Sequence, residues 1–185
     1  MRSFIAITIP DVVKTQLQAA VKRLTPHAVD VAWYSVTQFH LTITFLGETS
    51  PAILPHVSSA LTRICATVQP FTCRAYGFGY FGTKRNPKVI WAGVDPMPEL
   101  DMLHEAIGSE LKRFGLKTEE DEFRPHITLG RCQERARNHP LVDVMNEDER
   151  IAFGSWPVSS LTLCESRVMP KGSIYPLINR FQFGG

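Results

Sequence analysis

Two alternating stretches organise this chain. In His40-Leu41-Thr42-Ile43-Thr44-Phe45-Leu46-Gly47, period-two alternation puts His40, Thr42 and Thr44 on one face of a strand and Leu41, Ile43 and Phe45 on the other. A half-buried strand needs the apolar face; the row of an imidazole and two hydroxyls calls for another explanation. A shortened copy, His126-Ile127-Thr128-Leu129-Gly130-Arg131, returns 86 positions later (126 − 40). Around the first copy the pattern predicts a strand over Phe4–Ile9, ended by Pro10, and a helix over Asp11–Leu24 with Asp11 as its N-cap and Val13, Leu17, Ala20, Val21 and Leu24 at helical spacing. A strand over Val29–Val36 and a helix from Pro51 to about Ala66 follow. Phe71–Phe81 and Lys88–Val94 then read as a hairpin around the basic turn Gly82–Pro87. Glu134–Arg150 reads as an irregular helix or loop around Pro140, and Val158–Glu165 and Ser173–Phe183 as strands.

Shifting the chain by 86 lays the second half on the first without a gap. Phe4-Ile5-Ala6 meets Ile90-Trp91-Ala92, Pro10 meets Pro96, and Leu17, Ala20 and Val21 meet Leu103, Ala106 and Ile107. The joint match of prolines, helices and His-x-Thr groups points to a duplicated strand–helix–strand–strand unit. A repeat of this length is not a solenoid period. The expectation is one α+β domain over residues 1–185, built as two pseudo-symmetric lobes (approximate halves 1–87 and 88–185). Each lobe is a mostly antiparallel sheet with outer helices, and the active site lies in the groove between them. No low-complexity linker separates the halves, so they should share an extended interface.

Composition narrows the function without choosing it. With 185 residues, 44% hydrophobic and 21% charged, the chain can bury a sizeable core. A net charge of +2 is too mild for duplex-DNA binding by charge alone. The four cysteines, 65, 73, 132 and 164, show no Cys-x-x-Cys spacing and read as reduced thiols of a cytoplasmic protein. No segment has the length and hydropathy of a membrane span, and the apolar run after Arg2 is too short for a signal peptide.

Two facing His-x-Thr units carry specific chemistry. Histidine titrates near neutrality, so one copy can act as general base while the other acts as general acid. A threonine two residues along projects in the same direction and offers a hydroxyl donor. Two such donors opposite one another suit the non-bridging oxygens of a phosphodiester. Arg131 and Arg124 are further candidates for phosphate contact, with a surface or interface role as the alternative for each; by strict alternation Arg131 falls on the strand face away from Thr128. The other histidines, 27, 56, 104 and 139, have no companion motif and read as surface or packing residues. There is no His-Glu-x-x-His and no nucleophile elbow, so zinc-hydrolase and serine-hydrolase readings lack support, and no metal or cofactor is called for. Residue chemistry leaves two classes open: an enzyme acting on a phosphodiester, or a non-catalytic module that binds a phosphate, nucleotide or RNA end in the same groove.

The stretches Phe39–Glu48 and Phe123–Arg131 strongly resemble the two motifs of the two-histidine phosphoesterase superfamily, within it the RNA 2′,3′-cyclic phosphodiesterases, historically called 2′-5′ RNA ligases. The likeness extends through Phe4–Ile7, Val89–Val94 and the Glu165–Arg167 and Gly172–Tyr175 segments, nearly the whole chain. It implies a bilobal fold with a central groove and metal-independent opening of a 2′,3′-cyclic phosphate to a 2′-phosphate on RNA ends or nucleotides. A reversible, ATP-independent 2′-5′ ligation accompanies it. By position it makes His40 the proton donor, His126 the proton acceptor, Thr42 and Thr128 phosphate ligands, and Tyr175 a candidate substrate or base contact. The residues alone treat the two histidines as interchangeable. Gly130 stands where relatives commonly carry alanine. A monomer is expected.

Overall fold

The computed structural model describes residues 1–116, 122–133, 137–148, 150–170 and 172–184. Strand β1 (Arg2–Thr8) is the buried apolar run at the N-terminus, and Pro10 turns the chain into helix α1 (Asp11–Leu24). The N-cap is Pro10 rather than Asp11: the Pro10 carbonyl accepts the N–H groups of Val13 and Lys14, and Asp11 sits inside the first turn. The buried residues of α1 are the five of the apolar stripe.

Strand β2 (Val31–Trp33) is shorter than the expected 29–36, because residues Val36–Gln38 wind into a 3₁₀ turn closed by a Ser35/Gln38 capping box. The first motif forms β3 (His40–Glu48), followed by α2 (Leu54–Cys65), the hairpin β4 (Phe71–Gly82) and β5 (Pro87–Val94), α3 (Pro98–Arg113), and β6 (His126–Cys132) with the second motif.

The region expected to be irregular contains a regular helix, α4 (His139–Glu147), although residues 134–136 and 149 of it lie outside the described residues. Pro140 is in the first turn, where a missing N–H breaks no helical bond. Sequence patterning also missed β7 (Ala152–Val158), and the expected strands 158–165 and 173–183 resolve into β8 (Ser160–Met169), β9 (Gly172–Ile174) and β10 (Leu177–Gln182), the last two parted at Tyr175-Pro176.

Eight strands run in the order β10-β8-β1-β3-β6-β5-β4-β7, with β2 joined to β6 and β9 to β8, every pairing antiparallel. The order is a palindrome about the β3–β6 contact: each motif strand is backed by the strand that opens its repeat, β1 or β5. The spatial halves interleave the sequence halves, because β4 lies beside β5 while β8 and β10 return to β1. The backing strands are also offset differently from the motifs. Thr8 pairs with His40 and Gly93 with His126, a spacing of 85 (93 − 8) against 86 for the histidines, so the gapless superposition of Phe4 on Ile90 is one residue out. One continuous core joins Ile5, Leu17, Leu41 and Leu163 to Ile90, Leu103, Ile127 and Trp156. The helices knit the halves together, α1 against β7 and α3 against β3.

Gly79 on β4 lies directly under the six-membered ring of Trp91 on β5, so a Cβ there would overlap it. Trp91 in turn packs against the second motif histidine. Gly79→Val should therefore lower stability by about 1–3 kcal/mol, the usual cost of overfilling a packed site, and move the indole. Urea denaturation with tryptophan fluorescence checks this; unchanged stability would refute the packing account.

Candidate active site

The two motif strands touch through one ladder pair, Leu41 with Ile127. These are equivalent residues of the repeat, each the centre of its His-x-Thr, and both are fully buried on the core side. Extending the antiparallel register by one residue sets His40 opposite Thr128 and Thr42 opposite His126, on the face away from the core. The four polar side chains, all half-buried, thus form a square around the pseudo-two-fold axis.

Beyond the square both strands bulge at the same place. Ile5 pairs with Thr44 and Ala6 with Thr42, leaving Ile43 over; Ile90 pairs with Gly130 and Trp91 with Thr128, leaving Leu129 over. The freed carbonyls find donors outside these ladders: Ile43 O accepts His104 Nδ1–H at 2.7 Å, and Leu129 O accepts the Tyr34 N–H at 2.8 Å. An extra residue inverts the alternation that follows. The expected faces are therefore wrong past Ile43. Thr44 is buried, within 3.4 Å of His104, while Phe45 lies on the groove side, its ring 6.0 Å from that of Phe4. For the same reason Arg131, the repeat equivalent of Phe45, is on the groove face and not the opposite one; its charge acts on both His126 and Tyr175. At Gly130 a Cβ would come within 2.8 Å of Trp33, so here the small residue is a packing requirement of β2.

The two imidazoles are held alike. His40 Nδ1–H donates to Gln38 O at 2.6 Å and His126 Nδ1–H to Arg124 O at 2.7 Å, carbonyls that are themselves 86 residues apart. Only a protonated Nδ1 can make these bonds, so Nε2 is the free nitrogen of each ring. Aromatic rings flank both: Phe4 and Tyr175 at 4.8 and 4.9 Å from His40, Phe81 and Trp91 at 4.9 and 5.9 Å from His126. This enclosure removes water and disfavours the cations. Burial pushes His40 down to about 4, with His126 and Lys14 adding to the fall against the Gln38 carbonyl. Burial likewise lowers His126, helped by Arg131 and opposed by the Arg124 carbonyl.

Of the residues singled out by sequence, the structure brings together His40, Thr42, His126, Thr128, Arg131 and Tyr175. Arg131 Nε–H donates to the Tyr34 hydroxyl at 3.0 Å, and that hydroxyl faces Tyr175, whose pKa is raised by burial and by Tyr34. Arg124 stands apart: its guanidinium is engaged by Glu122 at 2.9 and 3.2 Å, and it serves His126 through its backbone. His104 is a packing residue as expected, stacked on Phe123 at 4.5 Å. Sequence reading missed Tyr34, Phe4 and Trp91 as parts of the site. Phe4 and Trp91 lie in segments that carry the family resemblance, which gave them no role, and Tyr34 left no trace beyond standing six residues before His40. All four cysteines are free thiols, and no helix among the described residues is long and apolar enough to cross a membrane.

A sequence model described as the 2′-5′ RNA ligase superfamily matches residues 10–168. An RNA 2′,3′-cyclic phosphodiesterase from Thermotoga maritima is 32% identical, covering 100% of this chain and 97% of that protein. One of the same name from Archaeoglobus fulgidus is 29% identical over 98% of this chain and 100% of its own length. The crystal structure of TT0787 from Thermus thermophilus superposes with a TM-score of 0.83, covering 100% of this chain and 99% of that one at 26% identity.

The burial argument predicts that both site histidines titrate below 6.5 in the free protein, His40 near 4. Carbon–proton spectra of the Cε1–H groups against pH measure both midpoints. A midpoint at or above 6.5 for His40 would refute the desolvated environment.

Proposed function

Since the chain belongs to the 2′-5′ RNA ligase superfamily, we propose that it hydrolyses the 2′,3′-cyclic phosphate of RNA ends or nucleotides to a 2′-phosphate. The observation that carries this reading is the register through Leu41 and Ile127, which sets two imidazoles with free Nε2 atoms across from two threonine hydroxyls. Water adds to phosphorus while His126 Nε2 takes its proton. The P–O3′ bond breaks with its electron pair going to O3′, and His40 Nε2–H supplies the proton that O3′ needs. Thr42 and Thr128 donate to the non-bridging oxygens, and Arg131 balances the charge that moves onto them. The assignment of donor and acceptor follows the resemblance of the motifs; the pseudo-symmetric geometry serves either direction. With a 5′-hydroxyl in place of water, the same steps give a 2′-5′ linkage, and run backwards they break it. Neither direction consumes ATP.

In the free groove both histidines are neutral at pH 7, two bases and no acid. The substrate's own phosphate anion supplies the missing half, since a negative charge between the rings favours protonating one of them. The groove is complete within one chain, so a monomer suffices, and the four free thiols suit the reducing cytoplasm.

His40→Ala and His126→Ala should each lower kcat by about 10²–10⁴-fold on a nucleoside 2′,3′-cyclic phosphate with the fold intact, and chelation should leave the wild type active. A 3′-thio analogue, whose sulfur departs without a proton, should restore His40→Ala and not His126→Ala; the reverse pattern would exchange the two roles. Binding without turnover by the wild type would make the groove a recognition module instead. Because the lowered pKa values empty the acid of its proton as pH rises, kcat/KM should peak below pH 6.5. The kcat optimum, which reports the phosphate-bound state, should lie higher. A common optimum for the two would contradict substrate-assisted protonation.

A further inference from the structure

The pseudo-two-fold relates not only the histidines but also the space beside them, and there the symmetry fails in charge. Next to His40 is a cavity of about 170 Å³ that shares His40 and Tyr175 with the groove and is lined by Thr8, Thr37, Lys14 and Arg180. Lys14 and Arg180 have no carboxylate partner among the described residues, and the charge of Lys14 reaches His40. On the other side, a cavity of about 700 Å³ meets the second motif at Pro125 and its backing strand at Trp91, and its charged lining is Asp101, Glu105 and Glu122 with Arg124. Lys14 lies on α1 and Asp101 and Glu105 on α3, so the corresponding helices of the two halves present opposite charges to the two cavities. An anionic chain is drawn to the first cavity and repelled from the second.

We propose that the cavity beside His40 binds a second phosphate, the one on the 5′ side of the terminal ribose, so that a substrate carrying a 5′-phosphate or a longer RNA chain is preferred over a bare nucleoside cyclic phosphate. This rests on the cyclic phosphodiesterase reading. The 5′-phosphate is one ribose away from the 2′,3′-phosphate, and the cavity is one side chain away from the square that holds it. Two cationic residues on different elements, a helix and the sheet edge, line the pocket together with Thr8 and Thr37. Polarity of this kind lets RNA enter in one orientation over a groove that is otherwise nearly symmetric.

The test compares three substrates at the pH optimum of each variant: a nucleoside 2′,3′-cyclic phosphate with a free 5′-hydroxyl, the same with a 5′-phosphate, and a dinucleotide ending in the cyclic phosphate. The wild type should favour the second and third. In Lys14→Gln/Arg180→Gln, with folding checked by thermal melting, the kcat/KM ratio of either to the first should fall at least tenfold. The salt dependence for the dinucleotide should lose about 0.7 in logarithmic slope per phosphate contact removed. Asp101→Asn should leave the ratios unchanged, and Lys14→Arg in an otherwise wild-type chain should retain the preference. A wild type without preference, or a ratio that survives the double substitution, would overturn the proposal. A preference carried by the dinucleotide alone would overturn the phosphate assignment and point to a contact with the second base. Failure of the wild type on all three substrates would instead sink the phosphodiesterase reading itself.

Discussion

The contact between Leu41 and Ile127 is the constraint on which the rest depends. A palindromic sheet could be joined at its middle in several registers, and burial selects among them. With side chains alternating across a strand, a slip of one residue would send His40 and Thr42 towards the core and Leu41 towards solvent. Both central residues are fully buried, so the hydrophobic effect sets the register that also sets the polar square. At about 1.5–3 kcal/mol for burying each of the two side chains, core packing holds the four polar side chains of the square in place.

The twin bulges at Ile43 and Leu129 then decide what surrounds that square. Each bends its strand and turns the side chain two positions on to the groove, an aromatic ring in one half and a guanidinium in the other. Each also frees a carbonyl, and His104 and the Tyr34 amide bind those carbonyls and so tie α3 and β2 to the motif strands. Gln38 has a similar double role: its carbonyl holds His40 while its side-chain amide donates to Ser173 O at 3.0 Å, fixing the segment that presents Tyr175. Ring orientation, tautomer and the aromatic wall over His40 are therefore set by one short 3₁₀ turn.

Much of this was legible in the sequence. The strands and helices with clean periods, α1 above all, and the His-x-Thr pair came directly from spacing, because apolar period and buried face are the same physical fact. What was not legible depended on partners distant in sequence. A bulge is a property of two strands, and nothing in Ile43 or Leu129 distinguishes an unpaired residue from a paired one; that is why Thr44, Phe45 and Arg131 were placed on the wrong faces. The one-residue difference between the offsets of β1 and β5 is of the same origin. Helix α4 escaped because Pro140 looks like a breaker, although at a first turn it is harmless. Strand β7 escaped because Gly154 and Pro157 interrupt its alternation.

The pseudo-symmetric site also meets a chemical problem under the proposed reaction, since acid–base catalysis needs two unlike groups and the two halves supply two like ones. The histidines show how little of the difference resides in the rings themselves. Both donate Nδ1–H to a carbonyl two residues earlier, both are enclosed by aromatics, and both are pushed towards the neutral form chiefly by burial. The asymmetry lies in their surroundings, where Tyr175 and Lys14 stand near His40, and Trp91 and Arg131 near His126. None of these neighbours carries a negative charge that would favour an imidazolium. In the proposed reaction the phosphodiester anion does, and the ring that takes up a proton from solvent is the one whose Nε2 lies towards the departing oxygen. On the proposed mechanism the direction of proton transfer is a property of how the substrate lies in the groove, and the charges proposed to orient it differentiate the two histidines as much as anything bonded to them.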